Sequence, residues 1–421
     1  MISRPTFASR FIFFPALLVV LMLHFSLFGE STHNPIGIRP LNEAYLSLCI
    51  GFAILLMLAA TEETSREFRV LMYYAVFTCA VFIVLPMIFS YFTYGQPFVY
   101  GFIEERRVLY CLGFAPLLYV GKRVTPLQFE RALIYVALLA AVLSWGFKFG
   151  MVPDWRDEVA SWDRPDRSSI GPYLMCLTFF YCVAIWDKGA SPIDGSPRSK
   201  NLYLLFAAIL LLTLVFATQT RQLIALCLVF AVFYLRAKVL MWGVMLAVLL
   251  APLYIYPELL QIVGIDLGFY DEQFESGVED GVRPYTIASI FMHLDQVNWL
   301  PSGSLSLMWQ GGFVPYFGEH FFLTDVGIFG LLFKYGFLTF LIVPITLFFY
   351  RKIAKAIDDD MSFIYPAVLA LICIWPLAGL LAYNQATIAF LLVMHSLKAQ
   401  HQRSKEQVYE YRSYPKLQGS Y

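Results

Sequence analysis

Arg221 stands in the run FATQTRQLIALCL, where a short polar stretch gives way to an apolar one long enough for a helix. Thr218 or Thr220 can cap that helix by accepting its first free N–H groups. A helix start carries positive partial charge, so an arginine there is mildly unfavourable unless an anion joins it. A phosphate or diphosphate would be such an anion, and the planar guanidinium fork grips one bidentately. The plainer reading of Arg221 is an interfacial arginine reaching for lipid headgroups. Arg283, just after the acidic run VEDG, offers the same fork. Its plainer reading is a local ion pair with Glu279 or Asp280, worth under ~1 kcal/mol at an exposed site. Arg106 and Arg107, in FIEERRVLY, have Glu104 and Glu105 beside them, so local pairing competes with binding of a substrate there.

Proton transfer has its own candidates. His320, in GEHFFLTD, is a residue type that suits a general base toward a hydroxyl, with Asp325 placed to orient it. Glu319 could serve instead, and a single histidine near a membrane surface is otherwise an ordinary polar residue. The segment MVPDWRDEVASWDRPDRS sets Trp155 and Trp162 among Arg156, Arg164, Arg167 and several acids. Flat aromatic faces beside carboxylates and arginines suit sugars, which present C–H faces and hydroxyl edges. The same tryptophans also read as an interfacial belt. The acidic DEQFESGVEDG lacks calcium-loop spacing. The cysteines and histidines lack metal-site spacing, so neither a metal nor a cofactor is expected.

These residues must be positioned by a membrane-embedded scaffold. Hydrophobic residues are 59% of the chain, charged residues 14%, and the mean hydropathy is +0.66. So little polar surface could not cover a water-facing core. A span needs about 20 apolar residues. Candidate spans lie near 11–29, 42–60, 70–93, 107–120, 132–150, 169–186, 202–217, 222–235, 239–256, 326–348, 362–380 and 383–397. The last pair reads either as a hairpin broken near Pro376, Gly379 and Asn384 or as one bent helix. The first, preceded by Arg4 and Arg10, reads as an uncleaved helix rather than a signal peptide. The expectation is an all-α polytopic membrane protein with about twelve transmembrane helices as one domain over 1–400, followed by a polar cytoplasmic tail over 401–421.

Orientation follows from Lys and Arg in the flanking segments. Twenty fall on one side and eight on the other, and successive loops alternate throughout. Both termini are then expected to be cytoplasmic. The eight outer cations are all arginine, whereas nine of the inner twenty are lysine. Lys334 falls one or two turns inside the tenth span, where a charge should face the protein interior or a wet cavity. Gly327 and Gly330, near the start of that span, would allow close helix packing. The loop 257–325 has 69 residues, with ten acids and a single basic residue, Arg283. Loops of that length are commonly functional. From Pro284 to Val297, apolar Ile287, Ile290, Phe291, Leu294 and Val297 recur at helical spacing, with Ser289, His293 and Gln296 on the other face. That helix would lie on the membrane surface or cap a cavity. No basic cluster points to nucleic acid. Deep charges in several spans and short outer loops, the marks of a flippase or other transporter, are not the pattern here.

Four elements in order, TQTRQLIALCL, GVRPYTIASIF, LPSGSLSL and FFLTDVGIFGLLFKYG, resemble the O-antigen polymerase and O-antigen ligase superfamily of bacterial envelope proteins. The likeness covers roughly residues 200–350. It implies a C-type glycosyltransferase fold with one long periplasmic loop and a substrate carried on polyprenyl diphosphate. By the same resemblance, Arg221 and Arg283 match the arginines that hold the diphosphate. The ligases carry a His-Asn pair further ahead of the acidic-glycine segment. Here His320 stands five residues before Asp325 and is followed by Phe321, which favours the polymerase branch over the ligase. A chain-length regulator and a flippase are the partners the resemblance implies.

Overall fold

The computed structural model describes residues 9–28, 40–59, 65–152, 167–235, 282–318, 320–323, 326–374 and 384–413. Within them the chain is helical, and its one β-type pairing is an isolated bridge between Ala190 and Pro197. The first part runs through α1 (Phe14–His24), α2 (Pro40–Leu58), α3 (Ser65–Cys79), α4 (Leu85–Tyr94), α5 (Phe98–Glu105), α6 (Phe114–Gly121), α7 (Pro126–Lys148), α8 (Pro172–Lys188), α9 (Lys200–Phe216) and α10 (Arg221–Leu235). The second part holds α11 (Val282–Gln296), the short α12 (Val314–Phe317), α13 (Ile328–Tyr335), α14 (Thr339–Ile357), α15 (Ile364–Ile374) and α16 (Gln385–Ser413).

Among the described residues, four helical stretches are long and apolar enough to cross a bilayer: Pro40–Leu58, Arg66–Tyr94, Pro126–Lys148 and Ile328–Ile357. Most remaining expected spans coincide with shorter apolar helices. The fourth is a 3-10 stretch, Arg106–Gly113, running into α6. The ninth, 239–256, lies outside the described residues. In the last pair, α15 and α16 pack on each other, Phe363 and Ile364 lining the same crevice as Met394 and Lys398, and residues 375–383 between them lie outside the described residues.

Two helices form the interior. Every residue of α8 from Leu174 to Ile185 is buried, enclosed by α7, α9 and α10. Helix α16 is buried from Thr387 to Ala399, against the 106–113 stretch, α6, α14 and α15. A helix apolar on all faces belongs in such a place. Its polar start is satisfied internally, as lipid demands. Gln385 accepts from the Tyr74 hydroxyl at 2.7 Å and the Tyr350 hydroxyl at 3.3 Å. His24 lies 2.8 Å from the Ala386 carbonyl and 2.9 Å from the Tyr45 hydroxyl.

The stretch Arg66–Tyr94 is irregular for a chemical reason. Pro86 has no N–H and crowds the carbonyl four residues back. Ahead of it, Ala80–Val84 widens into a π turn, and the Leu85 N–H reaches back to Ala80. The Val81 carbonyl is thereby left for another donor, and the Tyr335 hydroxyl takes it at 2.9 Å. A proline thus attaches α13 to α3 and α4.

The residues assigned by charge to one side of the membrane meet at one end of the bundle. Buried Glu67 receives Lys122 at 3.2 Å and Arg403 at 2.5 Å. Lys398 joins Asp358 and Asp360 at 3.4 and 2.5 Å. Fully buried Glu130 receives the Arg198 guanidinium at 2.8 Å and the hydroxyls of Tyr181 and Tyr203. Three groups thus converge on one carboxylate, and removing it takes the nearest acceptor from Arg198 and the acceptor from Tyr203, although Arg198 keeps Asp194 at 3.8 Å and Tyr181 keeps Ser191 at 2.9 Å. Glu130→Ala should cost about 3–5 kcal/mol, read as a lower unfolding midpoint in detergent.

Candidate functional site

At the opposite end of the bundle the chain between α11 and α12 is threaded into the helices. Ser302 and Gly303 donate backbone N–H groups to the carbonyls of Phe333 and Lys334, at 3.3 and 2.9 Å, and Phe337 donates to Trp299 at 2.9 Å. The segment therefore runs like a strand along the end of α13. On its other side Gln96 accepts from the Ser306 N–H at 2.8 Å and donates to the Ser304 carbonyl at 3.0 Å. Gly303 has φ +76°, and a Cβ there would run into the Pro86 carbonyl and the Ser90 amide. Only glycine fits both demands. Gly336, at φ +54°, is likewise pressed against the Trp299 carbonyl. Ser302, Ser304 and Ser306 are all buried, as is Leu305 between them, so the segment is enclosed on both faces.

Beneath this segment lies a buried ion pair. Glu105, the last residue of α5, accepts on one oxygen from both the Lys334 ammonium and the Ser304 hydroxyl. The Glu105 side chain is 0% exposed and that of Lys334 3%. The other Glu105 oxygen is buried with no hydrogen-bond partner. Lys334 thus faces the interior, as its position in the sequence requires, and meets a carboxylate there. Half-buried Glu104 adjoins the pair. Burial first, then the Glu105 charge, push its carboxyl up to about 7, against the opposing pull of Lys334, Arg107 and Arg106.

A small cap covers the site. In α11, Ile290 and Leu294 pack with Phe321, Leu323, Val326, Leu332 and Phe333. The expected apolar stripe is therefore the buried face, except that Phe291 is exposed. His293 corrects the expectation of an outward polar face. Its Nε2 lies 2.8 Å from the Ser302 hydroxyl, and its ring stacks on Phe333 at 4.9 Å. Burial holds its pKa below the usual histidine value, so the ring is neutral near pH 7. The Thr286 hydroxyl donates to the His320 carbonyl and accepts from the Phe322 N–H, each at 3.2 Å. Arg283 and His320 thus belong to one cap, both with exposed side chains.

The other expected residues are placed as follows. Arg221 is exposed at the head of α10, beside the end of α9. The threonines before it do not serve as side-chain caps: the hydroxyl of Thr218 donates to the Leu214 carbonyl and that of Thr220 to the Thr218 carbonyl. Arg106 pairs with Glu43 of α2 at 2.9 Å and also donates to the Ile103 carbonyl. Arg107 is exposed. Gly327 is the residue before α13, at φ +52°, so its use is conformational, while Gly330 is buried. Glu319, Asp325, Trp155, Trp162 and Arg164 lie outside the described residues. Arg221 and the cap stand at the same end of the bundle: Lys148, at the far end of α7 from Glu130, donates to the Phe216 carbonyl at 2.8 Å. The cluster of Glu104, Glu105, Gln96, Ser302, Ser304 and His293 was not expected. The cue available was Lys334, whose charge required a partner.

Fold and site together define an all-α membrane protein that concentrates ion pairs at one end and a capped polar cluster with exposed arginines at the other. The chain matches no protein-family model and no curated protein sequence.

The pair also makes a stability test. Lys334→Ala leaves Glu105 buried without its cation, at a cost of about 3–5 kcal/mol, whereas Glu105→Gln combined with Lys334→Met removes both charges and should be tolerated far better. Size-exclusion profiles of the two variants in detergent should differ accordingly, monodisperse for the double replacement only.

Proposed function

We propose that the chain is an inner-membrane polysaccharide polymerase that joins oligosaccharide units carried on polyprenyl diphosphate at the periplasmic face. The observation that carries this reading is the placement of Arg221 and Arg283. Both are exposed in the first turn of a helix, at the bundle end that holds the cap. A helix start and a guanidinium are complementary to the same ligand, an anion with several oxygens.

In the proposed reaction a hydroxyl of one lipid-linked glycan attacks the anomeric carbon of another. The new C–O bond forms as the bond to the diphosphate oxygen breaks. The diphosphate leaves as an anion, held by Arg221 and Arg283, and the hydroxyl proton passes to a base. His320, exposed in the cap beside the Arg283 helix, is the described candidate; Glu319 and Asp325 are the others. The lipid diphosphate already activates the sugar, so no nucleotide is needed. Fixed cations aimed at the leaving charge supply the rate. The glycan is then the partner at the outer face, together with the bilayer. A flippase would deliver it, and a chain-length regulator would set product size.

Arg221→Ala should abolish chain growth while the protein still inserts. Arg221→Lys should rescue it only partly, because a point charge replaces a bidentate fork. The check is the lipid-linked glycan profile of the producing cell: single units in place of a ladder are expected. A normal ladder from Arg221→Ala would refute the proposal, and a full ladder retained on the polyprenyl carrier would assign ligation instead.

A further inference from the structure

A cavity of about 160 Å³ opens at the ion-pair end of the bundle, opposite the cap and Arg221. It lies where the turn between α6 and α7, the loop between α8 and α9, and helix α16 come together. Helices α6 and α16 touch beside it: a Cβ on Gly121 would meet Leu397 at 3.1 Å. Val124, Pro126, Phe129, Ile193 and Leu397 supply its apolar lining. Lys122, Gln400, His401 and Ser404 supply its polar lining. Those polar groups keep bonding capacity in hand. The Lys122 ammonium has three donors, and among the described residues one is taken, by Glu67 at 3.2 Å. Gln400 donates to the same carboxylate at 3.5 Å, which leaves its second N–H and its amide oxygen. The Ser404 hydroxyl donates to the Gln400 carbonyl at 3.0 Å and can still accept.

Charge and size together select the ligand. Among the described residues that line the cavity, Lys122 is a cation and none is an acid. Lys122 and Arg403 share the single carboxylate of Glu67, so one positive charge is left over. The charges beyond them cancel, because Arg198 and Lys405 offset Glu130 and Asp194. Arg123 is engaged elsewhere, over the Tyr119 ring at 3.5 Å. A single surplus charge matches a carboxylate better than a phosphate, which carries close to two. An apolar cavity of about this volume accepts a body the size of benzene. We propose that the cavity binds a compact amphipathic monocarboxylate, with its acid group on Lys122 and Gln400 and its apolar body against Phe129, Ile193 and Leu397. The bound acid would join α16 to the α6–α7 turn. This assignment does not rest on the glycan reaction. Two sources carry such chemistry: a small soluble acid, or the head of a fatty acid from the bilayer.

Ligand-observed fluorine NMR on the full chain in lipid nanodiscs, with empty nanodiscs subtracted, tests this. The probe para-fluorobenzoate should bind saturably. The amide para-fluorobenzamide has the same body without the charge and should bind at least about tenfold more weakly, as expected for losing a hydrogen bond to a charged group. Lys122→Gln should weaken fluorobenzoate binding about tenfold by the same reasoning. Ser404→Trp, at an exposed position on the rim, should block it. Displacement of the probe by benzoate alone would assign the soluble source, and stronger displacement by oleate would assign the bilayer. Equal binding of the acid and the amide to the wild type would overturn the proposal whether or not the variants fold. So would fluorobenzoate binding that does not saturate, or that both variants leave unchanged.

Discussion

A lysine two turns into an apolar helix is the constraint around which one end of the molecule is arranged. An ammonium there must be neutralised inside the protein or drawn to water. Here it is neutralised, and each partner recruits further structure. Glu105 must end α5 at the right depth, which depends on the turn at Gly95–Pro97 that closes α4. Ser304 must reach Glu105, which requires the chain from Trp299 to Ser306 to lie flat along α13, and that approach requires glycine at 303 and 336. The π turn before Pro86 supplies the carbonyl that fixes Tyr335, the neighbour of Lys334. One buried charge thus accounts for two glycines, three buried serines and the attachment of the cap.

The other end follows the same rule with a different outcome. Glu67, Glu130 and the Asp358–Asp360 pair collect cations from segments far apart in sequence, so the loops are sewn together by ion pairs at the rim. Such pairs gain little when fully exposed. Glu67 and Glu130 are buried, at 4% and 0% side-chain exposure, so they hold their loops in fixed places, whereas Asp360 is 52% exposed. The result is a molecule with one end tied together by ion pairs and the other built around a capped polar cluster.

Much of this was legible in the chain. Apolar runs marked most helices within a few residues, because lipid imposes both length and composition on a span. Lys334 was readable as an inward charge for the same reason. Its partner was not, because Glu105 is 229 residues away and sits among other charges that seemed to satisfy one another locally. Arg106 was readable as paired, but its contact with Glu43 was not, because Glu43 belongs to another helix and only tertiary packing brings it near. His293 was assigned to the polar face because periodicity counts apolar residues, whereas an imidazole can stack on Phe333 and still donate or accept at its edge.

Helix α16 is continuous from Gln385 to Ser413, about 44 Å at 1.5 Å per residue. One end rests on the Tyr74, Tyr350 and His24 cluster within the bundle, and the other projects past the rim of ion pairs. An unbroken α-helix behaves as a lever arm, stiff along its axis. Anything that grasps the tail therefore has mechanical access to the polar centre of the membrane layer, without a chain of side-chain rearrangements in between.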